Sequence, residues 1–306
     1  MAKTREIKRR IKSVQNTRQI TRTMEMVASA KIKKAQSRIE AARPYALAMM
    51  QILRNVAKYV PAFEHPLLES RPAEKVAILV LSSNRGLCGS FNTNILRRAE
   101  GLAKKEIAEG REVRFVVVGR KGLNYLKYRG YDIHRSYVGV SDEPSYREAA
   151  DAAGDLVKLY MDEEIDKAYL VFNHFKSILE QYVVEYPLLP IGHLEVGKGG
   201  EQDDEDQEAT PQKVLESMYI FEPDSAGEVM TALLPSYVEY LIFRALLESS
   251  ASEQGARRTA MKAATENAGE MITDLKRDFN RVRQAAITVE IAEIVGGAEA
   301  LAAENS

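Results

Sequence analysis

Residues 7–36 read IKRRIKSVQNTRQITRTMEMVASAKIKKAQ, and their spacing decides the fold. Small or apolar residues recur three and four apart at Ile7, Ile11, Val14, Thr21, Ala28, Ile32 and Ala35, and the series runs on through Ile39, Ala42 and Ala46. This is the seam of a helix that winds against a partner helix, interrupted at Arg18 and Glu25. From Thr4 to about Lys58 there is no Gly, and the one Pro is Pro44. Roughly 55 helical residues extend about 80 Å, more than a globular domain needs. The Ala-rich seam implies close approach of the partner. A second apolar set, Ile20, Met24 and Val27, lies on another face, so more than one surface meets protein.

The partner lies at the other end of the chain. From about Ala226 to Ile294 nearly every residue permits helix, with Pro235 the main irregularity and Gly227, Gly255 and Gly269 tolerable at some cost. Its seam reads Met261, Ala264, Ala268, Met271, Leu275, Phe279, Val282, Ala286 and Val289, and Gly296-Gly297 is expected to fray its end. Charge supports the pairing. Residues 1–60 carry 15 Lys/Arg against three Glu, whereas residues 224–306 carry eight basic and 13 acidic side chains. Both helices flank one body, so they pair antiparallel. Residues 285–298, AAITVEIAEIVGGA, are apolar around most of the helix, which marks a segment enclosed by other protein.

Between the helices the period changes. Pro61, Pro66 and Pro72 end the first helix. Val76–Leu81 is a continuous apolar run of buried-strand length, and strands are also expected at 114–119, 167–175 and 181–191. Helices are expected at 93–109, 121–129 and 145–164. Alternation of this kind gives βαβ units around a mainly parallel sheet. The expected fold is therefore α plus α/β: a long antiparallel two-helix coiled coil from the terminal segments, with a central Rossmann-like domain. The divisions are 1–60 for the first helix, 73–195 for the α/β domain, 196–223 for an acidic loop and linker, and 224–306 for the second helix. The run EQDDEDQE at 201–208 packs like charges too densely to bury anything.

Composition narrows the chemistry. The chain has 306 residues and a net charge of -1, with 45% hydrophobic residues, enough for a real core. One Cys excludes an internal disulfide and an all-Cys metal site, and the four His (65, 134, 174, 193) have no metal spacing. No uninterrupted apolar run approaches membrane-spanning length, and residues 1–6 lack the apolar stretch of a signal peptide. We expect no metal and no cofactor. The turn Ser82-Ser-Asn-Arg-Gly-Leu-Cys-Gly-Ser-Phe-Asn92 follows a strand and precedes a helix, where Gly-rich turns hold phosphate. It fits neither G-x-G-x-x-G nor the P-loop. We read Gly86 and Gly89 as shaping a tight turn, Asn92 or Thr93 as a helix cap, and Cys88 as a small packing residue. Acid pairs such as Asp142/Glu143 and Glu163/Glu164 read as loop and helix-end charges. The basic first helix lacks interleaved aromatics, which favours an acidic protein partner over nucleic acid. Two other classes remain open, a nucleotide-binding α/β enzyme with helical arms and a free coiled-coil scaffold or nucleic-acid binder.

The stretch from Ile7 to Gln36 resembles the opening helix of the gamma subunit of F-type, proton-transporting ATP synthases. Ser83-Asn-Arg-Gly-Leu-Cys-Gly-Ser-Phe-Asn92 resembles that family's strand-turn motif. Ser252-Glu-Gln-Gly-Ala-Arg257 and the run from Asn280 to Ala298 resemble its closing helix. The resemblance covers essentially the whole chain, in order. It implies a rotor shaft with no catalytic site of its own, which couples ion flow to ATP synthesis or hydrolysis. The implied partners are three alpha and three beta subunits, the epsilon subunit and the c-ring, without direct membrane insertion and without nucleic acid. The implied place is peripheral, on the cytoplasmic face of a bacterial inner membrane. Carried over by motif, Met24, Arg257, Gln284, Thr288 and Glu290 are coupling contacts to the beta subunit, and Lys8, Arg9 and Lys12 are weaker contacts to acidic beta surfaces. Asn84 stands where the family more often has Asp, and Arg258 where it more often has Met. Cys88 alone excludes the two-Cys switch of chloroplast members.

Overall fold

The computed structural model describes residues 2–59, 63–140, 143–178, 180–192 and 226–304. The acidic run 201–208, the extended segment expected at 221–225 and His193 lie outside these residues. The chain separates into two compact units: residues 31–256, and residues 1–30 with 257–306.

In the larger unit, five strands and three helices follow each other as the alternation requires. They are β1 (Lys75–Leu81), α2 (Phe91–Ala108), β2 (Glu112–Val118), α3 (Arg120–Tyr128), β3 (Ile133–Tyr137), α4 (Tyr146–Met161), β4 (Lys167–Phe175) and β5 (Gln181–Leu189). The sheet order is β3-β2-β1-β4-β5, with β5 antiparallel to β4 and every other pairing parallel. This is a Rossmann-like sheet carrying an antiparallel edge. Strand β1 is central and buried on both faces, which is why it reads as an unbroken apolar run. Its side chains alternate between two cores. Val76, Ile78 and Val80 join Phe115 and Val117 beneath Ile95, Ala99, Ala103 and Leu126 of α2 and α3. Ala77, Leu79 and Leu81 join the opposite core with Ala149, Ala152 and Leu156 of α4. A capping box of Ser145 and Glu148 starts α4.

The two terminal helices are longer than expected. Helix α1 spans Ala2–Tyr59 and keeps Pro44 inside it; helix α5 spans Ala226–Glu304, keeps Pro235 inside it and continues through Gly296-Gly297 instead of fraying there. Within the larger unit, Met49, Leu53 and Val56 of α1 and Met230, Leu234, Val238 and Ile242 of α5 enter the α4-side core. Tyr45 lies tilted against Tyr240, with ring centroids 6.0 Å apart. One expectation needs correction. Although uninterrupted apolar runs are short, an 18-residue window within Ala226–Gly296 reaches a mean hydropathy of 1.3, enough by length and composition to cross a membrane. Its apolarity has a local use in the protein, because Met230, Leu234, Val238 and Ile242 are all buried in this core.

In the smaller unit the helices run antiparallel. The Thr21 and Thr265 hydroxyls meet at 2.8 Å, and three residues back along α1 the Arg18 guanidinium lies over Gly269, four residues on along α5. Arg18, the break in the α1 seam, thus faces a residue with no side chain: a Cβ at position 269 would lie 3.7 Å from the guanidinium carbon. Ala28 and Met261 are buried, and so is Ala268. The expected α5 seam is corrected at two positions. Ile272 is buried at 7% exposure while its neighbour Met271 is 53% exposed, because spacing of four from Ala268 keeps the stripe on one face. Val289 is likewise exposed.

Candidate coupling surface on the terminal helices

Two places could carry function: the turn after β1 and the far part of the helix pair. The turn is closed by its own polar groups. Asn92 does not cap its helix; the N-cap is Ser90, without a side-chain cap bond. Instead the Asn92 carboxamide reaches back, accepting from the Ser83 amide at 3.0 Å and donating to Cys88 Sγ at 3.1 Å. Cys88 is buried, as a packing residue should be.

The neighbouring turn, from β2 into α3, is where a phosphate would find free amides. Here the first three amides of α3 are taken. Arg120 N–H donates to Asn84 Oδ1 at 3.2 Å, Lys121 N–H to the Ser83 carbonyl at 3.0 Å, and Gly122 N–H to Ser82 Oγ at 2.8 Å. Asn84 Oδ1 also accepts from Gly139 N–H at 3.1 Å. Gly119, at φ 95°, allows the approach, since a Cβ there would fall 2.2 Å from the Ser82 carbonyl oxygen. Ser82, Ser83 and Asn84 therefore spend the anion-binding capacity of this crevice on the fold. Sequence spacing could not reveal this, because the amides come from a turn some forty residues further on.

On the terminal helices the proposed contact residues fall into two groups. Gln284, Thr288 and Glu290 are exposed in the smaller unit. Gln284 and Thr288 share a face, four residues apart, and the Thr288 hydroxyl donates to the Gln284 carbonyl at 3.0 Å. Around them Ile287, Val289, Ile291, Ile294 and Val295 are 46–71% exposed, so a strongly apolar surface is presented outward. On α1, Met24 is half-buried and Lys8, Arg9 and Lys12 are exposed; Ile20, Met26 and Val27 add exposed apolar area. Arg257 differs from the others. It is 9% exposed and already engaged within the protein. Among the described residues no group of His, Cys, Asp or Glu has metal-ligand geometry.

The Rossmann-like domain closes its strand-end turn with its own polar groups, and the antiparallel helix pair bears outward apolar residues that suit contact with other protein. The family model described as ATP synthase matches residues 3–301. The ATP synthase gamma chain of Desulfitobacterium hafniense is 44% identical over 301 residues, covering 98% of this chain and 100% of that relative. That of Desulforamulus reducens is 46% identical over the same length, with the same coverage. Among solved structures, the Tetrahymena thermophila mitochondrial ATP synthase central stalk/c-ring includes a chain with TM-score 0.57 and 26% identity, covering 80% of this chain and 99% of that one. A chain of the Euglena gracilis mitochondrial ATP synthase shares the fold at TM-score 0.69 and 19% identity, covering 100% of this chain and 96% of that one. The chain belongs to the gamma-chain family of ATP synthase.

Proposed function

We infer that this chain is the central rotor shaft of an F-type ATP synthase and carries no catalytic site of its own. The observation that carries this reading is the far part of α5, where Ile287, Val289, Ile291, Ile294 and Val295 stand in the open. An isolated protein gains nothing from such a surface, and burial against a partner removes it from water. In the proposed assembly three alpha and three beta subunits enclose this segment, and the α/β domain stands with an epsilon subunit on the c-ring. The complex sits peripherally on the cytoplasmic face of a bacterial inner membrane. The divisions at 60, 73, 195 and 223 are proposed as the working parts. Gln284, Thr288 and Glu290 are proposed to touch beta subunits directly, and Met24 to touch them lower on the pair. Lys8, Arg9 and Lys12 meet acidic beta surfaces. Arg257, held inside the chain, is proposed to act by fixing α5.

Rotation of the pair then presents different faces to the three beta subunits in turn. Contacts made at some angles and lost at others change the relative free energies of the beta states. The test is to tag this chain in its native host, purify it and determine its companions. The expected result is alpha, beta and epsilon in 3:3:1 proportion to it, in the family's pattern, with the c-ring retained in mild detergent. Purification without those subunits, or saturable nucleotide binding by the chain alone, would overturn the reading.

A further inference from the structure

In the larger unit a cleft lies where α1, α5 and the segment leading into α4 meet, lined by Lys31, Lys34, Arg38, Glu143, Ser250 and Gln254. It is small and partly open to solvent. The three cations sit on one face of α1, three and four residues apart, and Ser250 and Gln254 are four apart on α5. Lys34 is paired to Glu143 at 2.6 Å. The other two cations face the same carboxylate: Lys34, then Arg38 and Lys31, hold Glu143 below the usual carboxylate range. Among the described residues that line the cleft, one carboxylate stands against three cations.

The second observation is independent of charge. Gln254 is 3% exposed, and its carboxamide nitrogen is buried without an acceptor. A buried N–H donor left unmet forfeits the hydrogen bond it had to water, so such a group ordinarily has a partner. Here the donor belongs to a residue lining the same cleft as the three cations.

We propose that this cleft is a binding site for a small divalent oxyanion of the inorganic phosphate class, held by Lys31 and Arg38 with the Gln254 carboxamide donating to one of its oxygens. A dianion complements cations clustered on one helix face beside an unmet N–H donor. Glu143 is then a built-in competitor, since it holds Lys34 and repels the anion. The site uses none of the proposed beta contacts and is tested on the free chain, so its failure leaves the rotor reading untouched.

The probe is inorganic phosphate, titrated into the purified full-length chain at pH 7.5 and constant ionic strength, with binding read from phosphorus NMR linewidths. Saturable broadening is expected in the native chain. K31Q combined with R38Q, both at solvent-accessible positions, should weaken binding at least tenfold. E143Q should strengthen it about threefold, because it frees Lys34 and removes a negative charge. Sulfate should compete and acetate should not. Three results would each overturn the proposal: broadening that never saturates, affinity unchanged in K31Q/R38Q, or E143Q binding no better than the native chain. Acetate binding as tightly as phosphate would also overturn it, because a carboxylate would then be the ligand.

Discussion

The hydroxyl oxygens of Thr21 and Thr265 lie 2.8 Å apart, joining two helices whose contacting residues are separated by most of the chain. One hydroxyl donates to the other, and the one that accepts donates its own proton to its helix, Thr21 to the Arg18 carbonyl at 3.0 Å or Thr265 to the Met261 carbonyl at 2.8 Å. Thr21 is 8% exposed, so its loss cannot be made good freely by water.

Thr21→Val keeps the shape and removes one partner. It should cost about 1–2 kcal/mol, the penalty of stranding a buried hydroxyl. Thr21→Val with Thr265→Val should cost less than the sum of the two single changes, since neither hydroxyl is then left facing an apolar group. Urea unfolding of the four chains in this cycle measures the coupling; strict additivity would show that the two threonines do not interact.

Ser82 and Gly122 form a second testable pair. Ser82 Oγ donates to the Val118 carbonyl at 2.7 Å, and a Cβ added at Gly122 would lie 2.6 Å from Ser82 Oγ. Gly122→Ala should therefore destabilise by about 2–3 kcal/mol, in the range of overpacked cores. Adding Ser82→Ala should return part of that loss by vacating the space. Gly119→Ala should be worse than either, because φ 95° and a 2.2 Å clash with backbone act together. Thermal unfolding ranks the series.

Glu100 sets an acid limit. It accepts from the Tyr125 hydroxyl at 2.6 Å, Lys104 at 2.9 Å and Arg129 at 3.1 Å. The Tyr125 hydrogen bond first, then Lys104, pull its carboxyl down from 4.5 to about 2. A carboxyl depressed in the folded state stabilises above its unfolded value and loses that contribution as pH falls through the folded one. Glu100→Gln should therefore lower stability at pH 7 by about 1–2 kcal/mol, and the deficit should shrink between pH 4.5 and 2. Stability measured against pH for both chains decides; a deficit constant with pH would assign the loss to packing.

Gln284→Ala with Thr288→Ala should lower ATP synthesis and hydrolysis by the assembled complex while its subunit ratios stay intact. Both side chains are exposed here, so their removal has little to disturb within the helix pair itself. Stoichiometry and turnover are to be measured on one purified sample. Full turnover at normal stoichiometry would remove these residues from the coupling surface, and parallel loss of both would make them assembly contacts.

The long helices and the central strand were legible because burial imposes a period on them. Strand β3 was not, since Ile133–Tyr137 reads IHRSY and its three middle residues are exposed on an edge, where no face demands apolar side chains. Met271 passed for a seam residue because Met suits any apolar stripe, and only the geometry separates it from Ile272. The far apolar part of α5 was visible from composition alone. The buried state of Arg257 was not, because a motif preserves a residue's identity without saying which way it points. The work of Ser82, Ser83 and Asn84 was hidden for a related reason: their partners lie on another turn, and local spacing is silent about crossovers.

Opposed direction in the helix pair has a consequence for how the chain's length can change. Thr21 faces Thr265 while Arg18 faces Gly269, so advancing along one helix means retreating along the other. A single residue inserted into α1 would rotate everything beyond it by about 100° and assign each side chain a new opposite number. Arg18 would then lose its glycine and meet a bulkier neighbour. Insertions or deletions are tolerable only as whole heptads made in both helices at matching heights. Such double events are rare, so variation in length among chains of this kind should gather in the joins between elements, and the spacing from Arg18 to Thr21 and from Thr265 to Gly269 should behave as a fixed gauge.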